Sequence, residues 1–412
     1  MKTRAPLGYA PPTIRPLQLR DVEAIAVLAQ RVWDEDRRPD WQKIHSKLTQ
    51  FQQWFGLLNL LRLFPNLIRH QFCFYVAEQD HQLRGMIHVS PFNRSRTTWR
   101  VEQVMVDAAT QAIRSGLNLK DTGSQLLRHC FEAIWEARTW LLEVNVQDKS
   151  TLALYRQNGF QPLAQVTSWS IPPAALERIA LHEPSFPNLL PVGNADAQLL
   201  YQLDTVSMPP LLRQVFDRHV EDFKTPVWEA IAQKIHHALH QTDVVRGYVF
   251  EPQRKAAIGH FALTLHRGGD RPHTAELTVH PAYTWLYPEL MAHMAKVAQT
   301  IPGQPLQITS ADYQSEREEY FENLGAERCD HRLLMSRSVW HKLRETKPLE
   351  GLQLQDMLGL QPARTPIPTR MSWTKFLKRE TPPEPPQGDV GGPGAPRGGG
   401  IGGGIGGARD QL

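Results

Sequence analysis

The stretch STLALYRQNGF, residues 150–160, places Tyr155 on a helix-forming run that ends in Gly159-Phe160. A phenol there is either a core aromatic or a proton donor, and Gly159 reads as the residue that closes the helix. Upstream, Thr122-Gly123-Ser124 precedes the apolar set Leu126, Leu127, Cys130, Phe131, Ile134 and Trp135. That spacing predicts one helix with a single apolar face. Gly123 and Ser124 are therefore expected at a helix N-terminus after a strand and a loop. Free N–H groups and the positive dipole end suit a phosphate there; the plain alternative is an ordinary cap. Asp148 and Ser150 lie just before the helix of Tyr155, and either can cap it.

Two strands must position these groups. WRVEQVMV (99–106) precedes the Gly-Ser helix, and TWLLEVNV (139–146) separates that helix from the tyrosine helix. The same order recurs later in the chain. IRPLQLRDVEAIAVL (14–28) aligns with LPVGNADAQLLYQL (190–203), with Pro16 on Pro191 and Asp21 on Asp196 at an offset of 175. In the hairpins that follow, Gly85 matches Gly259 at an offset of 174, and Val106 matches Val279 at 173. ALYRQNGF (153–160) then matches EYFENLGA (319–326). Ordered matches at near-constant spacing predict a duplicated α/β unit with a mixed, largely antiparallel sheet.

With VEQVMV (101–106), TGSQLL (122–127) and LLEVNVQDKSTLALYRQNGF (141–160) in place, the first unit resembles the GNAT superfamily of N-acetyltransferases. The resemblance covers about 160 residues. It implies two tandem GNAT-like domains and transfer of an acetyl group from acetyl-CoA to an amine. Further, it implies that the backbone of Val104, Met105 and Val106 holds the pantetheine arm and thioester. Lys120, Thr122, Gly123 and Ser124 fall on the pyrophosphate-binding stretch, and Asp148 on a position where an Asn usually contacts CoA. Tyr155 falls on the acid that protonates the leaving thiolate, and Glu102 on the base. A free amine must lose a proton to attack, so a carboxylate near the acceptor fits. Asp121 and Asn118 depart from the family's loop pattern; Gly116 and Lys120 are placed to restore part of that surface. In the second unit the glycine loop is missing: Val279 to Gly325 is 46 residues against 53 from Val106 to Gly159. Phe321 stands where the first unit has Tyr155, so the second unit reads as degenerate.

The bulk composition narrows the function classes. A formal charge of +4 over 412 residues is too balanced to argue for nucleic acid. Cys73, Cys130 and Cys329 make neither a disulfide framework nor a zinc pattern, and a reducing, cytoplasmic setting is the simplest reading. His236, His237 and His240 lack an acidic ligand set, and no metal is expected. The N-terminal stretch has no apolar core of a signal peptide. Residues 51–68 contain Asn59, Arg62 and Pro65 and fall short of a membrane span. The acceptor, a small molecule or a protein or peptide amine, is expected to be shaped by residues 22–70.

The expected organisation is an acetyltransferase domain at 1–172, a linker at 173–187, and a degenerate domain at 188–345. A linker or short helix at 346–380 leads to a disordered tail at 381–412. Twelve of the 27 glycines lie between 388 and 407, too polar and flexible a composition to offset ordering entropy. Two rivals stay open: a non-catalytic GNAT-fold binding module, and a membrane-peripheral protein docked through 51–68.

Overall fold

The computed structural model describes residues 12–32, 73–107, 119–226, 229, 230, 233, 241–269 and 271–339. The segment 51–68, the loop residues Gly116 and Asn118, the three clustered histidines and everything beyond 339 lie outside them. So do the side chains of Lys120 and Asp121.

The first repeat runs β1 (Thr13–Pro16), α1 (Asp21–Val32), β2 (Cys73–Gln79), β3 (Gln82–Pro91), β4 (Thr98–Val106), α2 (Leu119–Ala133), β5 (Thr139–Asn145), α3 (Lys149–Gln157) and β6 (Gln161–Ile171). Next comes α4 (Pro173–Ala180), inside the stretch expected as a linker. Pro172 and Pro173 start this helix where a missing N–H does no harm. Ala175 and Leu176 are buried in the core of the second repeat, so the stretch is an integral element. The second repeat runs β7 (Leu189–Pro191), α5 (Ala197–Ser207), α6 (Pro210–Phe216), β8 (Thr242–Glu251), β9 (Ala256–His266), β10 (His273–Val279), α7 (Leu286–Ala298), β11 (Leu306–Ala311), α8 (Ser315–Asn323) and β12 (Glu327–Ser338).

The duplication is visible in local chemistry. Asp21 accepts the backbone N–H of Gln18 at 2.8 Å, and Asp196 accepts that of Gly193 at 2.8 Å. Gly85 pairs with Val106, and Gly259 with Val279. Each glycine lies under the helix that follows: a Cβ on Gly85 would meet Leu126 at 3.2 Å, and one on Gly259 would meet Leu290 at 2.9 Å. α3 and α8 have nine residues each and end in Gly159 and Gly325, at φ +81 and +76. That left-handed backbone is why glycine stands at both.

All the strands join one sheet of 12, in the order β1-β2-β3-β4-β5-β12-β6-β11-β10-β9-β8-β7. Among the described residues only β4/β5 and β10/β11 are parallel. The last strands of the two repeats are exchanged. β12 lies antiparallel to β5, and β6 antiparallel to β11. Each core is thus completed by the other repeat's strand. Met335 of β12 is fully buried in the first core, and Trp169 and Ile171 of β6 in the second.

Candidate active site at the opening between two parallel strands

β4 and β5 pair only from Thr98/Thr139 to Val101/Leu142. Beyond that point they diverge. A bulge marks the place: on β3, His88 faces Gln103 while Val89 faces Val101, so Glu102 is an extra residue in β4. Such a bulge bends its strand and ends regular pairing. The edge of Val104, Met105 and Val106 that faces β5 is therefore unpaired. Met105 and Val106 are buried, and Val104 packs against the core cluster that holds Tyr155.

Tyr155 is 4 % exposed and meets Phe160 edge-on at 5.7 Å. Its ring is buried, and its hydroxyl makes no hydrogen bond among the described residues. Burial pushes the phenol up, and Asp148 adds to the shift. The group therefore keeps its proton at neutral pH. Glu102 is exposed on the other side of the bulge. Ser90 Oγ donates to its Oε1 at 2.6 Å, and Arg100 Nε lies 3.8 Å from Oε2.

Two expected roles look different in three dimensions. α2 begins at Leu119, so Gly123 and Ser124 lie in its second turn rather than at its start. The free N–H groups of this helix belong to the residues around 119–121. Thr122, also past the helix start, lies 3.4 Å from where a Cβ on Gly85 would sit. Gly123 is a packing glycine: a Cβ there would meet Leu154 Cδ2 at 2.8 Å. Asn158 Nδ2 donates to Ser124 Oγ at 2.8 Å. The apolar period showed where the helix packs, but not where it starts. Asp148 is the N-cap of α3, with Oδ1 accepting from Thr151 N at 3.1 Å and from Ser150 Oγ at 2.7 Å.

One contributor was absent from the sequence reading. Arg337 of β12 donates to the carbonyl of Asn158 and lies over the Phe131 ring at 4.3 Å. It seals the end of the tyrosine helix from the other repeat. Nothing local to Arg337 announces this, because the contact exists only through strand exchange.

The second repeat keeps the opening but fills it. β10 and β11 pair only from His273/Leu306 to Ala275/Ile308. Arg317 of α8, 5 % exposed, donates to the Leu277 carbonyl of β10 and to Gln314 Oε1 at 2.7 Å. Its Nε is buried without a partner. The matching residue in α3 is Thr151, at the same offset of 166 that relates Phe321 to Tyr155. Phe321 is fully buried against Trp169.

Among the described residues no group of His, Cys, Asp and Glu is placed to hold a metal, and no helix is long and apolar enough to cross a membrane. No family model and no curated protein matches the chain. Among solved structures it is similar to a GCN5-related N-acetyltransferase from Sphaerobacter thermophilus, at 14% identity over 79% of this chain and 95% of that one, TM-score 0.46. It is also similar to a tandem GNAT protein from the clavulanic acid biosynthesis pathway, at 12% identity over 80% and 99%, TM-score 0.47. A third is the PaiA N-acetyltransferase from Thermoplasma acidophilum in complex with coenzyme A, at 19% identity over 37% and 92%, TM-score 0.27.

Proposed function

We propose that the first repeat is a GNAT-type acyltransferase that moves an acetyl group from acetyl-CoA to an amine. The observation that carries this reading is the opening between β4 and β5 at the Glu102 bulge. It leaves the backbone of Val104–Val106 free to hydrogen-bond an extended ligand, as a missing strand would. Val104, Met105 and Val106 would hold the pantetheine arm. The free N–H groups at the start of α2, around residues 119–121, would face the pyrophosphate, with Gly123 and Ser124 one turn further in. Glu102 would take the proton of the incoming amine, and the amine nitrogen would form the new bond to the acetyl carbon. The carbon–sulfur bond then breaks, and Tyr155 would give its proton to the sulfur. A buried phenol with no partner suits that role, since no internal bond competes for its proton.

A second reading has its own support. Gly123 and Ser124 are used in packing α2 onto α3, which favours a binding module without productive CoA contact. Calorimetric titration of the full chain with acetyl-CoA, with hydrogen exchange on the same samples, separates the two. The transferase reading expects one site per chain and protection of amides at 104–106 and around 119–122, with none at 279–294. Absence of binding would leave the module reading in place.

A further inference from the structure

A cleft of about 700 Å³ lies on the sheet face opposite α2 and α3. Its floor runs across the exchanged strands into the second repeat, and α5 and the segment 222–225 form its roof. That size suits a small organic ligand. Most of its charges are already answered. Arg94, Arg100, Asp204, Lys224 and Arg332 each meet an opposite charge at 2.5 to 3.0 Å.

At the far end three polar groups are left over. Arg246, His260 and Glu276 line the cleft and have no hydrogen bond or ion pair among the described residues. They sit on neighbouring strands. Arg246 of β8 and Glu276 of β10 both stand opposite Ala262 of β9, one on each side. His260 is two residues along β9, on the same face. The backbones carrying the two charges are therefore about 10 Å apart, twice the strand spacing. Only a methyl group stands between them. Both side chains have the length to reach over it, yet they do not pair. Thr264, Thr274 and Thr278 continue this part of the floor with hydroxyls.

A guanidinium matches a carboxylate with two parallel hydrogen bonds. A lone carboxylate across a small hollow is the complementary receptor for an ammonium group. We propose that this end of the cleft binds a small amino acid, with Arg246 on its carboxylate, Glu276 on its ammonium and His260 donating beside Arg246. Burial and the nearby Arg246 push His260 down to about 4, so it is neutral near pH 7 and offers one N–H. The site lies five to seven strands from β4 in the sheet order, so it stands apart from the acetyl-transfer reading.

The test is a direct binding titration of the full chain with glycine, 4-aminobutyrate and L-lysine, followed by calorimetry or ligand-observed NMR. Butyrate and butylamine serve as one-ended controls. Arg246→Gln and Glu276→Gln are both exposed changes, and each is first checked for an unaltered melting temperature. The expected result is saturable binding of at least one amino acid, weakened about tenfold or more in both variants and for both controls, the scale of one lost charged hydrogen bond. Failure of all three amino acids to saturate would overturn the proposal. So would equal binding by either variant, or by butyrate. Acetyl transfer plays no part in the readout, so the two readings fail separately.

Discussion

At the scale of single residues, Tyr155 and His260 show how burial sets what a side chain can do. The Tyr155 ring is tied into the core by Phe160, while its hydroxyl has no partner among the described residues. Ring and hydroxyl can therefore be tested apart. Tyr155→Phe is expected to lower kcat by about 10- to 1000-fold, around the range for a lost acid. Its melting temperature should stay close to that of the parent. Normal turnover in steady-state assays would remove Tyr155 from the chemistry. His260 makes a prediction about pH. Its folded value of about 4 lies below the ordinary 6.5. Between those values the unfolded chain takes up a proton that the folded chain refuses. The stability due to neutral His260 is thus fully present above pH 6.5 and is lost as pH falls toward 4. Urea unfolding at pH 7 and pH 5 should differ by roughly 1–3 kcal/mol more in the parent than in His260→Gln. Equal pH sensitivity of the two proteins would show that the imidazole is more solvated than its surroundings indicate.

At the scale of elements, the same opening occurs twice with different contents. In the first repeat β4 and β5 stop pairing at the Glu102 bulge, and a backbone edge stays free beyond it. In the second, Arg317 supplies the missing donor to Leu277 from within the chain. That contact holds the opening of the second repeat together from within the chain. A carbonyl left unsatisfied in a buried opening costs about 1–3 kcal/mol. Arg317→Ala should therefore destabilise the chain by at least that amount in urea titrations, and should speed hydrogen exchange in β10. An undiminished unfolding midpoint would mean that water replaces the guanidinium freely and that the opening is not sealed.

At the scale of the whole molecule, the exchanged strands decide what can fold alone. β5 has β12 as its neighbour, and the buried Met335 comes with it. A fragment of residues 1–187 would lose that strand along with the Arg337 contact to α3. We expect it to give no cooperative melt as a monomer, and to regain one when mixed with residues 188–412. The full chain should unfold in a single calorimetric transition, since neither core is complete without the other repeat. A monomeric 1–187 fragment with a sharp transition would show that β6 can fold back onto β5 and that the exchange is optional.

The order of strands and helices, the duplication and its matched glycines could be read from residues alone. Those features are local: period-2 and helical apolar spacing, turn chemistry, and a left-handed position that only glycine fills cheaply. The same locality shows that Phe321 replaces Tyr155. The start of α2 is not legible in the sequence, because its apolar stripe does not mark the first turn, and neither is α4, because its prolines resemble a break. Three features needed the tertiary structure. Nothing in the residues of β6 or β12 says which parallel pair each will flank. Arg317 reads as a solvated charge on an acidic helix until α8 is seen against β10. Arg246, His260 and Glu276 are spread over 31 positions, and only sheet register sets them around Ala262. Spacing along the chain determines the elements, while pairing between distant strands decides which side chains meet, because that choice is made by the packed core as a whole.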